Sequence, residues 1–121
     1  MLDHIGLDVH SYGTSKAFYR AIFAPLGYEL VEETHGWGGF GPPGKPLFWI
    51  HEGDKAITPI HLAFAAPSRA KVDQFYETAI AIGATDNGPP GLRDIYHPNY
   101  YGAFVLDPDG NNVEAVCHLA E

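Results

Sequence analysis

Asp3–His10 (DHIGLDVH) alternates: His4, Gly6, Asp8 and His10 point one way, and Ile5, Leu7 and Val9 the other. Period two with one apolar face predicts a strand. Across Thr14–Gly27 the period changes. Ala17, Phe18, Ala21, Ile22 and Phe23 form an apolar stripe at helical spacing, with Ser11 or Thr14 as cap and Gly27 as stop. Pro25 marks the last turn or a break. Tyr28–Thr34 predicts a strand that continues irregularly through the glycine-rich His35–Gly41. Pro42–Pro46 then predicts a turn, Leu47–His51 a short apolar strand, and Glu52–Lys55 a polar connection. Thr58–Ala66 predicts another strand. Ser68 caps a second helix, in which Val72, Phe75, Tyr76, Ala79 and Ile80 fall at i, i+3, i+4, i+7 and i+8, with Gly83 as stop. Gly88-Pro89-Pro90-Gly91 predicts a loop, and Leu92–Tyr101 has no clear period.

Gly102–His118 predicts a hairpin turning at Asp107-Pro108-Asp109-Gly110. Glu114 lies in its returning strand among Val113, Ala115 and Val116. A carboxylate on a buried strand costs free energy unless it is paired, protonated or metal-bound. Arg93 is the natural partner if the answer is an ion pair.

The two halves echo each other. His4 precedes Phe18-Tyr19 and His61 precedes Phe75-Tyr76 at the same spacing, since 18 − 4 = 14 and 75 − 61 = 14. Leu26-Gly27 and Ile82-Gly83 end the two helices. Each half then carries a Gly-x-Phe, a Pro/Gly turn and an apolar strand. Such an echo predicts two copies of one strand–helix–strand–strand–strand unit sharing a core.

Composition narrows the function classes. The 121 residues suit one domain, residues 1–121, with one module over about 1–55 and the other over about 56–121. A net charge of -8 argues against nucleic acid or an anionic membrane as partner. No apolar run is long enough to span a bilayer, and no basic-then-apolar leader opens the sequence, so the expected location is the cytoplasm. The single cysteine, Cys117, excludes an intrachain disulfide framework and reads as an inert buried thiol. Seven histidines raise the question of metal or acid–base chemistry.

The repeat, together with Asp107-Pro108-Asp109-Gly110 and Glu114, resembles the vicinal-oxygen-chelate superfamily. That group holds glyoxalase I, extradiol dioxygenases, methylmalonyl-CoA epimerase and the fosfomycin and bleomycin resistance proteins. The likeness covers nearly the whole chain. It is most specific at His4, Leu7 and Val9 with Ser15, Phe18 and Tyr19, at Ile60–Phe64, and at Phe104 with the turn and Glu114. It implies an α+β fold of two βαβββ modules pairing around a cleft, glyoxalase-like, and often a homodimer whose clefts form within one chain or across two. By position it implies His4, His61 and Glu114 as ligands of a divalent metal. Two imidazoles and a carboxylate suit Zn, Ni, Co, Mn or Fe(II) and leave positions open for a chelating substrate. The metal would polarise substrate oxygens and stabilise an enediolate or similar anion.

One position departs from the pattern. The fourth ligand of glyoxalase-type sites is expected at or near Trp49, where there is no carboxylate. His51 has the same facing one pleat further along, and Glu52 faces the other way. The expected function is therefore a metal-dependent lyase or isomerase acting on a small substrate with adjacent oxygens. The alternatives are a metal-free binding protein of the bleomycin-resistance type and a small Fe(II) oxygenase. The chain is shorter than typical ring-cleaving enzymes.

The catalytic candidates are Glu114, itself in the metal set, and His97, an acid–base group outside it. Trp49, Arg93, Tyr96 and Tyr101, with Tyr100, are expected to line the cleft for an anionic or aromatic substrate. His10, His35 and His118 are read as surface residues. His35–Gly41 lacks the Lys-Ser/Thr and the helix of a phosphate loop.

Overall fold

The structure, a computed structural model, describes residues 2–53 and 59–121. The chain runs β1 (Ile5–Val9), α1 (Tyr12–Phe23), a 3-10 turn (Ala24–Leu26), β2 (Glu29–Thr34), β3 (Trp37–Gly41) and β4 (Phe48–Glu52). It continues as β5 (His61–Ala65), α2 (Arg69–Ala81), β6 (Thr85–Leu92), β7 (Tyr101–Leu106) and β8 (Asn112–Cys117). This is βαβββ twice, an α+β fold. Each module forms its own four-stranded sheet, ordered β1-β4-β3-β2 and β5-β8-β7-β6. The first and last strands of each module pair in parallel, and the remaining neighbours are antiparallel.

The helices start where short polar side chains can cap them. Ser11 Oγ accepts from the Thr14 amide and Ser68 Oγ from the Lys71 amide. Between the two candidate caps, Ser11 is the one used, and α1 begins at Tyr12. Pro25 falls in the 3-10 turn that ends the helix, and Gly27 follows with a left-handed φ of 81°. The Thr58 end of the expected fifth strand, Lys55 of the polar connection and the module boundary lie outside the described residues.

Two stretches differ from expectation. His35-Gly36 turns sharply, with φ of 51° and 83°, so the glycine-rich run divides into a hairpin turn and β3. Gly88-Pro89-Pro90-Gly91 lies inside β6. Proline cannot donate to a ladder, but β6 is an edge strand, and its pairing with β7 slips at Asp86/Gly88 and again at Gly88/Gly91.

The apolar faces of both modules merge into one core. Phe23 is fully buried, its ring 4.8 Å from that of Phe64 in an edge-on contact, and Phe48 lies 5.5 Å from Phe64. The Asp107–Gly110 turn joins the modules a second way. The buried Asp107 carboxylate accepts from the Asp109 and Asn111 amides, from Asn111 Nδ2 and from the Tyr19 hydroxyl at 2.5 Å. Asp109 Oδ1 accepts from the His10 amide at 3.1 Å. Tyr19→Phe removes one of four donors to a buried carboxylate, so the expected loss is about 1–2 kcal/mol in urea unfolding. No change would show that the turn does not hold the modules together. Among the described residues no helix is long and apolar enough to cross a membrane.

Candidate functional site

On β5, Phe64 is buried in the core and Leu62 packs against it, while His61, Ala63 and Ala65 stay exposed on the opposite face. In register, Ala63 lies opposite Glu114, and Glu114 opposite Phe104. Glu114 therefore points away from the core, yet its side chain is only 1% exposed. His61 Nε2 lies 2.8 Å from Oε1, and the Tyr100 hydroxyl donates to Oε2. With Glu114 ionised, the shared proton sits on His61 Nε2, because a carboxylate only accepts. Gly102 makes room, since a Cβ there would stand 3.2 Å from Oε2 and from the Tyr100 ring. Glu114 thus faces neither Arg93 nor solvent. Arg93 lies over the Phe104 ring, 5.6 Å from its centroid, and donates to the Pro89 carbonyl at 2.6 Å.

His4 lies on the corresponding face of the other sheet. Its side chain is 60% exposed, and Nδ1 is 2.7 Å from Asp3 Oδ1. That hydrogen bond, helped by the Lys45 charge, holds the Asp3 carboxyl below the usual carboxylate range. His4, Gly6, Trp37 and Trp49 line a recess of about 290 Å³. Trp49 lies flat against Gly39, where a Cβ would come within 2.8 Å of the indole. His51 stacks on Trp37 at 4.5 Å, and its Nδ1 is 3.8 Å from Asp8 Oδ1. Glu52 turns the other way and accepts from the Tyr12 amide at the start of α1. His4 and Ala63 also border one cleft of about 230 Å³ between the edges of β1 and β5.

The expected metal set is thus divided. His61 and Glu114 meet, whereas His4 stands with the tryptophans. Among the described residues no three His, Cys, Asp or Glu side chains gather closely enough to hold an ion. His97 is exposed, with Nδ1 2.8 Å from the Pro98 carbonyl. Tyr96 is exposed and packs edge-on against Tyr100. Tyr101 turns to the helix side, where its hydroxyl donates to Asp73 and Arg69 lies over its ring. Tyr100, one residue earlier, is the tyrosine that meets Glu114. No spacing rule marks it, because the Leu92–Tyr101 stretch has no period and loop closure alone brings it back.

Phenols bonded to carboxylates are raised, among them Tyr100 at the site and Tyr12 at the start of α1. Burial, followed by the bond to Glu114, pushes Tyr100 up. Burial, followed by the bond to Glu33, pushes Tyr12 from 10.0 up to about 12. A raised phenol favours its neutral form in the fold. Its contribution is therefore complete below pH 10 and is lost as pH rises through the folded value. Absorbance at 295 nm should show Tyr12 ionising near pH 12, with stability falling between pH 10 and 12. Complete ionisation near pH 10 in the folded chain would contradict these surroundings.

The match to known proteins follows the same outline. The model of the Glyoxalase/Bleomycin resistance protein/Dioxygenase superfamily covers residues 1–115. A crystal structure of a glyoxalase/bleomycin resistance protein from Albidiferax ferrireducens T118 is 31% identical, with TM-score 0.80, over 94% of this chain and 95% of that one. A glyoxalase/bleomycin resistance protein/dioxygenase family enzyme from Burkholderia phytofirmans PsJN shares the fold at 20% identity and TM-score 0.75, over 98% of both chains. Among curated proteins there is no match. The chain belongs to the Glyoxalase/Bleomycin resistance protein/Dioxygenase superfamily.

Proposed function

We propose that this chain is a metal-dependent lyase or isomerase of the glyoxalase type, acting on a small substrate with adjacent oxygens. It works as a homodimer in the cytoplasm. The observation that carries the reading is Glu114, a buried carboxylate with no Lys or Arg within ion-pair distance among the described residues. Such a group calls for a cation. The His61–Glu114 pair fits one. An imidazole nitrogen and a carboxylate oxygen 2.8 Å apart are the donor types that would hold a divalent ion in place of the proton they share.

His61 and Glu114 supply two donors, and catalytic sites of this kind use three. The third is His4 of a second copy, whose open module-one face would lie over the module-two face of its neighbour. Bound between them, Zn, Ni, Co, Mn or Fe(II) would act as a Lewis acid toward the substrate oxygens. Tyr100 holds Oε2, so Glu114 presents Oε1. Trp37 and Trp49 wall the substrate from water.

Mixing His4→Ala and Glu114→Gln chains tests the arrangement. A heterodimer would hold one intact site of its two, and random exchange makes about half of the dimers hetero, so the mixture should regain about a quarter of the one-ion-per-chain binding that each variant lacks alone. No regain in a confirmed heterodimer would overturn the shared site.

A metal-free binding protein of the bleomycin-resistance type is the second reading. The Trp37–Trp49 recess favours it, because two indoles suit a planar or cationic ligand.

A further inference from the structure

The Gly88-Pro89-Pro90-Gly91 segment has no part in the proposed metal chemistry, yet it forms a seat. A Cβ at Gly88 would come within 2.9 Å of the Phe104 ring and 3.4 Å of Arg93 Nη2. One at Gly91 would come within 2.9 Å of Arg93 Nη1. Gly88 also has a φ of 145°, which side-chain-bearing residues rarely adopt. Only two glycines leave the guanidinium room to lie over Phe104, and the Pro89 carbonyl between them anchors it through Nη2.

Charge adds to the seat, and Arg93 shares with Arg20 and Lys71 the absence of a carboxylate within ion-pair distance among the described residues. In a chain of net charge -8, Lys16 reaches Glu33 at 2.7 Å and Lys45 reaches Asp3 at 3.6 Å. Arg93 has no carboxylate within ion-pair distance among the described residues, and its one polar partner is a neutral carbonyl. A guanidinium carries five N–H donors in a planar fork, and the carbonyl uses one side of it.

The seat adjoins the proposed site. Phe104 lies directly opposite Glu114 in the β7–β8 ladder, and its ring is 6.2 Å from that of His61. His61, Phe104 and Arg93 thus form a row across one face, with the carboxylate pair at one end and an uncompensated cation at the other.

We propose that Arg93 in its glycine seat is an oxyanion subsite, and that the substrate is anionic, carrying a carboxylate or phosphate group besides its adjacent oxygens. The inference rests on this face being the substrate face. The fork would take the anion through two parallel N–H···O bonds, and Phe104 would lie beneath the substrate between the two ends. Arg93 is a specificity residue in this scheme and moves no proton.

The test uses the full chain stripped of metal on a chelating resin, titrated calorimetrically at low salt with inorganic phosphate and, separately, with malonate. The wild-type chain should bind at least one of them with a dissociation constant on the order of millimolar. Arg93→Met should weaken that binding at least tenfold, Arg93→Lys less, and Lys71→Met on α2 not at all. Gly91→Val, which closes the seat and keeps the charge, should match Arg93→Met and decides the matter if that variant fails to fold. Stronger phosphate binding assigns a phosphate-bearing substrate, and stronger malonate binding a carboxylate-bearing one. Because no metal is present, His61→Ala should leave the anion bound, so failure of the metal reading alone would not touch this result. The subsite is overturned if neither anion binds the wild-type chain, or if Arg93→Met binds as the wild-type chain does.

Discussion

Glu114→Gln should weaken divalent-metal binding about 100-fold or more and leave the chain folded. Even residues that only support a ligand change affinity by about 10- to 100-fold, and this substitution removes a ligand's charge. Its value lies in how little else changes. The amide oxygen still accepts from the Tyr100 hydroxyl. The amide nitrogen donates to His61 Nε2 once the imidazole takes its other tautomer. Both contacts survive, and only the negative charge goes. Because a buried carboxylate without a Lys or Arg partner costs free energy, the metal-free variant should melt no lower than the wild-type chain. Equal metal affinity in the two proteins would move the site elsewhere. A collapse in melting temperature would make Glu114 a structural group.

Phe23→Ala should be the most damaging core substitution, at about 3–5 kcal/mol. The Phe23 ring is within 4.8–5.7 Å of Tyr19, Tyr28, Phe40, Phe48 and Phe64. Four of these belong to its own module, and Phe64 belongs to the other. Truncation leaves a cavity at the junction that neither sheet can close alone. Domains of this size are held by about 5–15 kcal/mol in all, so the variant should unfold at much lower urea. A loss under about 1 kcal/mol would mean that the two modules do not share a core.

The elements were legible where one period ran long enough. His4–His10 alternates and β1 forms there; the stripe around Phe18 and the stripe around Phe75 became α1 and α2. The repeat made two modules legible because order, spacing and residue type agreed. Gly88–Gly91 was misread as a loop because proline excludes an inner strand, and sequence does not say which strand lies at an edge. At the site, the resemblance named His61 and Glu114 by position, and the parallel pairing of β5 with β8 brings them to one face. The place of His4 depended on how two sheets lie beside each other, which no local pattern encodes. Tyr100 and Tyr101 are neighbours, and only the start of β7 decides which turns to Glu114 and which to Asp73. The glycines at 88, 91 and 102 carry no chemistry of their own. Their role emerges only when the atoms that fill their missing side-chain space are known.

The central claim is that His61 and Glu114 hold a divalent ion. Its most direct test is the metal content of the purified chain after loading with Zn, Ni, Mn or Fe(II) and removal of free ion, measured for wild type, His61→Ala and Glu114→Gln. The account predicts one ion per chain in the wild type and little in either variant. No stoichiometric ion in the wild type, or equal loading in all three proteins, would contradict it.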